Sequence, residues 1–251
     1  MTTTAQRAET RPMPAGPSHN DGRNNARAGG IFYLLTFAAS LPAFFLLNPI
    51  LKSPEFITGA GHDTQVTLAC LFDFINALAC IGTAVAVFPI ARRANESLAL
   101  GFVMSRMLEA AVIMIGVLAL LTVVVLRQDI AGTAADTSAD TSALTTTGHA
   151  LIAGRNWSFL FGPGFMASIN ALLFGTLLYR SRLVPRIIPT IGLIGAPLLL
   201  TANMFTLFGH NTQTGAWTML ATLPVAAWEL SVGFYMTFKG FKRNPVTAAT
   251  A

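Results

Sequence analysis

The sequence predicts an all-α integral membrane protein, a bundle of six transmembrane helices with both termini in the cytoplasm. Three observations carry this. Only 11% of the 251 residues are Asp, Glu, Lys or Arg, while 53% are hydrophobic and mean hydropathy is +0.59. A soluble domain covers its surface with about 25% charged residues. The apolar residues here also fall in blocks of about 20 or more, the length needed to cross a hydrocarbon core of about 30 Å. Finally, Lys and Arg collect in alternate connections between the blocks.

Residues 1–28 are polar, rich in Pro, Thr, Asn and Arg, and lack periodicity, which predicts a disordered cytoplasmic tail. A secretory leader would place its charges before a short apolar core and a small-residue cleavage site. The first apolar run instead starts near residue 31 and is long enough to stay as a span. Six spans are predicted within a membrane domain over residues 29–240, at about 30–51, 65–90, 98–126, 157–179, 187–208 and 216–238. Residues 241–251 form a second cytoplasmic tail. Backbone groups in lipid must pair internally, so each span is read as a helix. The runs are apolar on every face, without the alternation of a β-barrel.

The connection between spans three and four, rich in Ala, Thr, Asp and Ser, reads as a mobile external loop, with a short interfacial helix over 143–156. Arg7, Arg11, Arg23, Arg27, Arg92, Arg93, Arg180, Arg182, Arg186, Lys239, Lys242 and Arg243 lie on one side of the six spans. Only Lys52, Arg127 and Arg155 lie on the other. The positive-inside rule then places both termini in the cytoplasm, as an even span count also requires. Tyr33, Trp157, Tyr179, Trp217 and Tyr235 fall near the proposed helix ends, where interfacial aromatic belts sit.

The pI near 9.8 does not indicate nucleic acid, because the basic residues sit where membrane topology requires them. Cys70 and Cys80 are ten residues apart in one span, about 15 Å of helix, too far for a disulfide. The chain has no H-E-x-x-H, no Walker A loop and no G-x-S-x-G elbow, which disfavours known ATP-driven work and most hydrolysis. No histidine lies in a span, which argues against bis-histidine haem, and no cofactor is expected. His62, His149 and His210 each fall in an external connection. They read as solvated loop residues rather than metal ligands, because no ligand-spaced pair exists.

The candidate site is polar and lies inside the spans. A charge within a transmembrane helix costs about 2.5–3.5 kcal/mol on insertion scales and faces the bundle interior or water. At about 1.5 Å per residue, Arg106, Glu109, Glu229 and Asn170 share a layer about 12–16 Å from the cytoplasmic boundary. Asp73 and Asn203 form a second layer nearer the outer leaflet. Arg106 and Glu109, three positions apart, share a helix face and can pair. Glu229 is the natural second carboxylate for a guanidinium. One reading is a structural clasp tying span three to span six. The other is a site for a substrate or coupling proton between spans three, four and six. Asp73, Asn76 and Cys80 share one face of span two and read as a polar seam between helices rather than an outward vestibule. Pro42, Pro163, Pro197 and Pro224 can kink their helices or free carbonyls to line a cavity. Gly192 and Ala196 make a small-xxx-small step for close helix packing.

The stretch NWSFLFGPGFMASINALLFGTLLYRSRLVPRIIPTIGLIGAPLLL, residues 156–200, resembles a family of bacterial multi-pass inner-membrane proteins. That family is catalogued as a domain of unknown function and numbered, in words, four-three-eight-six. GGIFYLLTFAASLPAFFL at 29–46 and SRMLEAAVI at 105–113 are similar to its first and third spans. The resemblance covers about residues 29–240 and implies six helices in a bacterial inner membrane, with no catalytic residue to carry across. Three functions remain in view. The first is a non-enzymatic structural or accessory protein with lipid and membrane-protein partners. The second is a small secondary transporter or proton-coupled permease with a small-molecule substrate. The third is a membrane enzyme acting on a lipid or quinone.

Overall fold

A computed structural model describes residues 19–51, 56–57, 62–132 and 138–242. All regular structure among them is helical. Helix α1 covers His19–Leu51, α2 Asp63–Ala94, α3 Glu96–Gly132 and α4 Ser138–Phe159. A π-helical segment, Leu160–Met166, joins α4 to α5, Ala167–Ser181; α6 is Ile187–Leu207 and α7 is Ala216–Phe238. Among the described residues, six stretches are long and apolar enough to cross a membrane, with α4, the π segment and α5 forming one of them. Their outward side chains are also apolar, including Phe45, Val85, Met104, Leu118, Ile194 and Leu223. Water would not tolerate so large an apolar surface, and lipid does.

Each spanning stretch packs on its neighbours in the chain, and α7 closes on α1, so the six form a ring. The face where α1 begins and α7 ends is called the terminal face here, and the opposite one the loop face. The α2–α3 turn on the terminal face is one residue long. Extended Asn95 ends α2, and its side-chain oxygen accepts the Leu98 amide at 2.9 Å, capping the start of α3. The α5–α6 turn passes through Arg182 in the left-handed region and buries Leu183 and Val184 beneath the bundle end. The Lys242 amide then donates to the Leu183 carbonyl at 2.8 Å, tying the chain after α7 to this turn.

Three expectations about helix extent change. The tail expected over 1–28 is helical from His19, with Ala26 fully buried and Gly22 and Gly29 facing Ile90 and Val87 of α2. Residues 1–18 and 243–251 lie outside the described residues. The connection expected as a mobile loop is helical from Ser138 and runs without a break into the fourth span. Its Ala and Thr content lowers hydropathy without breaking a helix, so composition alone set the boundary too late. The same extension of α1 removes Tyr33 from the expected interfacial belt: it lies well inside the helix and is fully buried.

Small residues set the closest approaches. A Cβ on Gly30 of α1 would lie 2.5 Å from the Thr237 amide nitrogen and 2.7 Å from the Gly233 carbonyl oxygen of α7. Gly192 of α6 faces the Trp228 ring, and Gly195 faces Pro224. Lipid tails are as apolar as the helices, so such contacts rather than water exclusion hold the ring together. Two packed zones result. One, around Tyr33, Phe102, Phe174 and Trp228, lies toward the terminal face; the other, around Leu47, Cys70, Val117 and Leu120, lies toward the loop face. Arg106 sits one turn beyond Phe102 of the first and one turn before Ala110 of the second.

Candidate functional site

Arg106 is buried among four helices. Its Nη1 donates to Glu109 at 2.9 Å, one turn along α3, and its Nη2 lies 3.4 Å from Glu229 of α7. The guanidinium stacks over the Tyr33 ring of α1 with its carbon 4.7 Å from the centroid, and Nη1 also reaches the Cys80 sulfur of α2 at 3.6 Å. Asn170 of α5 donates to the Glu109 carboxylate at 2.7 Å. The structure therefore brings Arg106, Glu109, Glu229 and Asn170 together at one level. The three charged side chains are not equally enclosed. Side-chain exposure rises from 2% for Arg106 to 7% for Glu109 and 14% for Glu229.

That difference follows from a cavity of about 300 Å³ inside the ring. Arg106, Glu109 and Glu229 line it, as do Asp73 and Asn76 of α2 and Asn203 of α6, so both predicted polar layers face one space. The seam expected from Asp73 and Asn76 is thus cavity wall, and Cys80 contacts the cluster. Pro163 and Gly164 of the π segment complete the wall on the α4–α5 side. Proline has no N–H to donate, so a wider helical turn here is consistent with its place in the chain. A side chain at Gly164 would meet Asn203 at 3.3 Å, so glycine lets the two approach.

Charge at the second level involves a residue assigned to the external connection between spans three and four. Arg155 of α4 is buried, lies 3.8 Å from the Asp73 carboxylate and stacks on Phe159. Arg127, assigned likewise, is buried against Asp63 at 2.8 Å and over the Phe56 ring. Neither is a solvated loop charge. The signal for Arg155 was an Asp73 with no cation at its own depth, beside an Arg only two residues before the estimated start of span four.

Arg155, Phe159, Phe44 and Gln213 border a second space of about 320 Å³ as well, lined on its far side by Asn48, Asn156 and Thr212–Thr214 at the loop face. The Phe44 and Phe159 rings stack 6.2 Å apart, and Gln213 donates to the Asn156 carbonyl at 2.8 Å. A vestibule on the loop face is therefore separated from the inner cavity by one layer of side chains. Two polar atoms of lining residues, Arg106 Nε and Asn203 Nδ2, are buried without a protein partner among the described residues. His62, His149 and His210 are all exposed.

A ring of six membrane-length helices around a polar-floored cavity defines a multi-pass membrane protein. The chain belongs to the family described as Domain of unknown function (DUF4386), whose model matches residues 28–240. No curated protein and no solved structure matches it.

Proposed function

We propose that this protein is a small secondary transporter or permease, non-enzymatic, with the Arg106–Glu109–Glu229 cluster as the floor of its substrate site. The observation that carries this is the cavity, which reaches both carboxylates and stands one side-chain layer from a loop-face vestibule. A closed clasp would need only the contacts, not the space beside them. Arg106 still ties α3 to α1, α2 and α7, so it serves the fold as well as the site. In this reading Glu109, held at 2.9 Å by Arg106 and at 2.7 Å by Asn170, is the fixed partner. Glu229, at the longer 3.4 Å and the most exposed of the three, is the group free to meet a substrate or proton.

In this reading the protein sits in a bacterial cytoplasmic membrane with both termini inside. Among the described residues Arg92, Arg93, Arg180, Arg182, Arg186, Lys239 and Lys242 all lie at the terminal face, while Arg127 and Arg155 near the loop face are buried in ion pairs. That asymmetry supports a cytoplasmic terminal face.

The clasp and site readings differ on Glu229→Gln. With Glu229 as substrate group, the amide keeps the side chain's shape and leaves Arg106 its closer partner, so stability should fall by no more than about 1 kcal/mol. Glu109→Gln should cost clearly more, because it weakens both short bonds. Thermal unfolding of each purified variant in detergent reads this. Loss of folded Glu229→Gln protein, as severe as that for Glu109→Gln, would overturn the site reading.

A further inference from the structure

Five charged side chains line the inner cavity: Asp73, Glu109 and Glu229 against Arg106 and Arg155. Asp73 and Arg155 face each other, which leaves one guanidinium against two carboxylates and a formal charge of −1 at the floor. An excess charge in a medium poorer than water in dielectric screening favours a counter-charge or a proton. The remaining wall is mostly apolar, with Phe37, Phe44 and Phe45 of α1 among its side chains, and is interrupted by Asn76, Asn203 and Gln213. Aromatic faces attract cations and repel anions.

The cavity wall also reaches the outside of the ring. α1 and α7 cross tightly near the terminal face through Gly30 and Gly233. Toward the loop face, Leu41 and Phe45 of α1 and Met219 of α7 line the cavity and are themselves exposed, at 49%, 69% and 49%. In a membrane those surfaces meet lipid, so the seam between α1 and α7 presents the cavity to molecules dissolved in the bilayer.

We propose that the cavity takes a hydrophobic organic monocation, its charge set against Glu229 and its apolar groups against the phenylalanines. This rests on the transporter reading and specifies its substrate class. A hydrophobic anion would meet the unbalanced carboxylate, and a strongly hydrated ion would lose its water to an apolar wall.

The test is equilibrium binding of tetraphenylphosphonium to the full-length protein in lipid nanodiscs, with tetraphenylborate as the probe of matched shape and opposite charge. Saturable binding of one phosphonium per chain, with no saturable binding of the borate, is expected. Ala226 lines the cavity one helical turn before Glu229, so Ala226→Lys places an ammonium beside that carboxylate. Phosphonium binding should be at least about tenfold weaker in Ala226→Lys than in Ala226→Met, which adds similar bulk without charge. Equal loss in both variants, absence of saturable phosphonium binding, or preference for the borate would overturn the cation assignment. If Glu229→Gln unfolds as Glu109→Gln does, the transporter reading falls with it. If Glu229→Gln remains stable, only the substrate class is wrong.

Discussion

Replacing Arg106 with leucine is expected to remove most folded protein. The substitution leaves the Glu109 and Glu229 carboxylates without their cation, since Arg155 faces Asp73, and strips the Tyr33 face of its guanidinium. Removing one partner of a buried ion pair costs about 3–5 kcal/mol, a large share of the 5–15 kcal/mol that typically separates folded from unfolded domains. Arg106→Lys keeps the charge but cannot bond two carboxylates in a planar fork while lying flat on an aromatic ring, so it should fall between leucine and the parent. Combining Arg106→Leu with Glu109→Gln and Glu229→Gln should recover part of the loss, since the stranded charges are gone. Monodisperse yield and unfolding temperature in detergent measure all three. An Arg106→Leu protein as stable as the parent would show that the cluster contributes nothing to folding.

The second large effect concerns ring closure. Gly30→Leu is expected to abolish folded protein, because the first atom of any side chain there would meet backbone of α7 at 2.5 Å. Backbone cannot swing aside as a side-chain tip can, so α1 and α7 would have to separate. Overpacking usually costs about 1–3 kcal/mol, occasionally more, and a forced helix separation belongs at the upper end. Gly154 of α4 supplies the control: a Cβ there meets nothing within 4 Å. Gly154→Ala should be neutral or stabilising by up to about 1 kcal/mol, through helix propensity alone. Gly30→Leu yielding normal, thermostable protein would contradict the close α1–α7 crossing.

What the sequence made legible follows from how rigid each relation is. Helical rise is fixed, so counting residues from span ends put Arg106, Glu109, Glu229 and Asn170 at one depth before any packing was known. Charges in lipid seek partners, so Arg106 and Glu109 at i and i+3 could be paired on chemistry alone. Span ends were less legible. They were set by hydropathy, which the polar but helix-compatible residues before Ile31 and before Trp157 do not satisfy. That single error misplaced both Tyr33 and Arg155, each of which the longer helices carry into the interior. The cavity's extent was not legible: a site was expected between spans three, four and six, and the space also reaches spans one, two and five. It depends on which side of each helix turns inward and on α7 closing against α1, and six spans apolar all round leave little periodic signal to fix either.

The central question is whether water reaches the floor of that cavity in the folded protein. A cysteine at Ala226, in a chain with Cys70 and Cys80 replaced by alanine, places a thiol on the cavity wall one turn from Glu229. The measurement is its modification by 2-(trimethylammonium)ethyl methanethiosulfonate, a charged reagent confined to water, in nanodiscs and without denaturant. Modification of the folded protein is the expected result. A thiol that reacts only after denaturation would show that water does not reach the cluster, and would contradict a hydrated site.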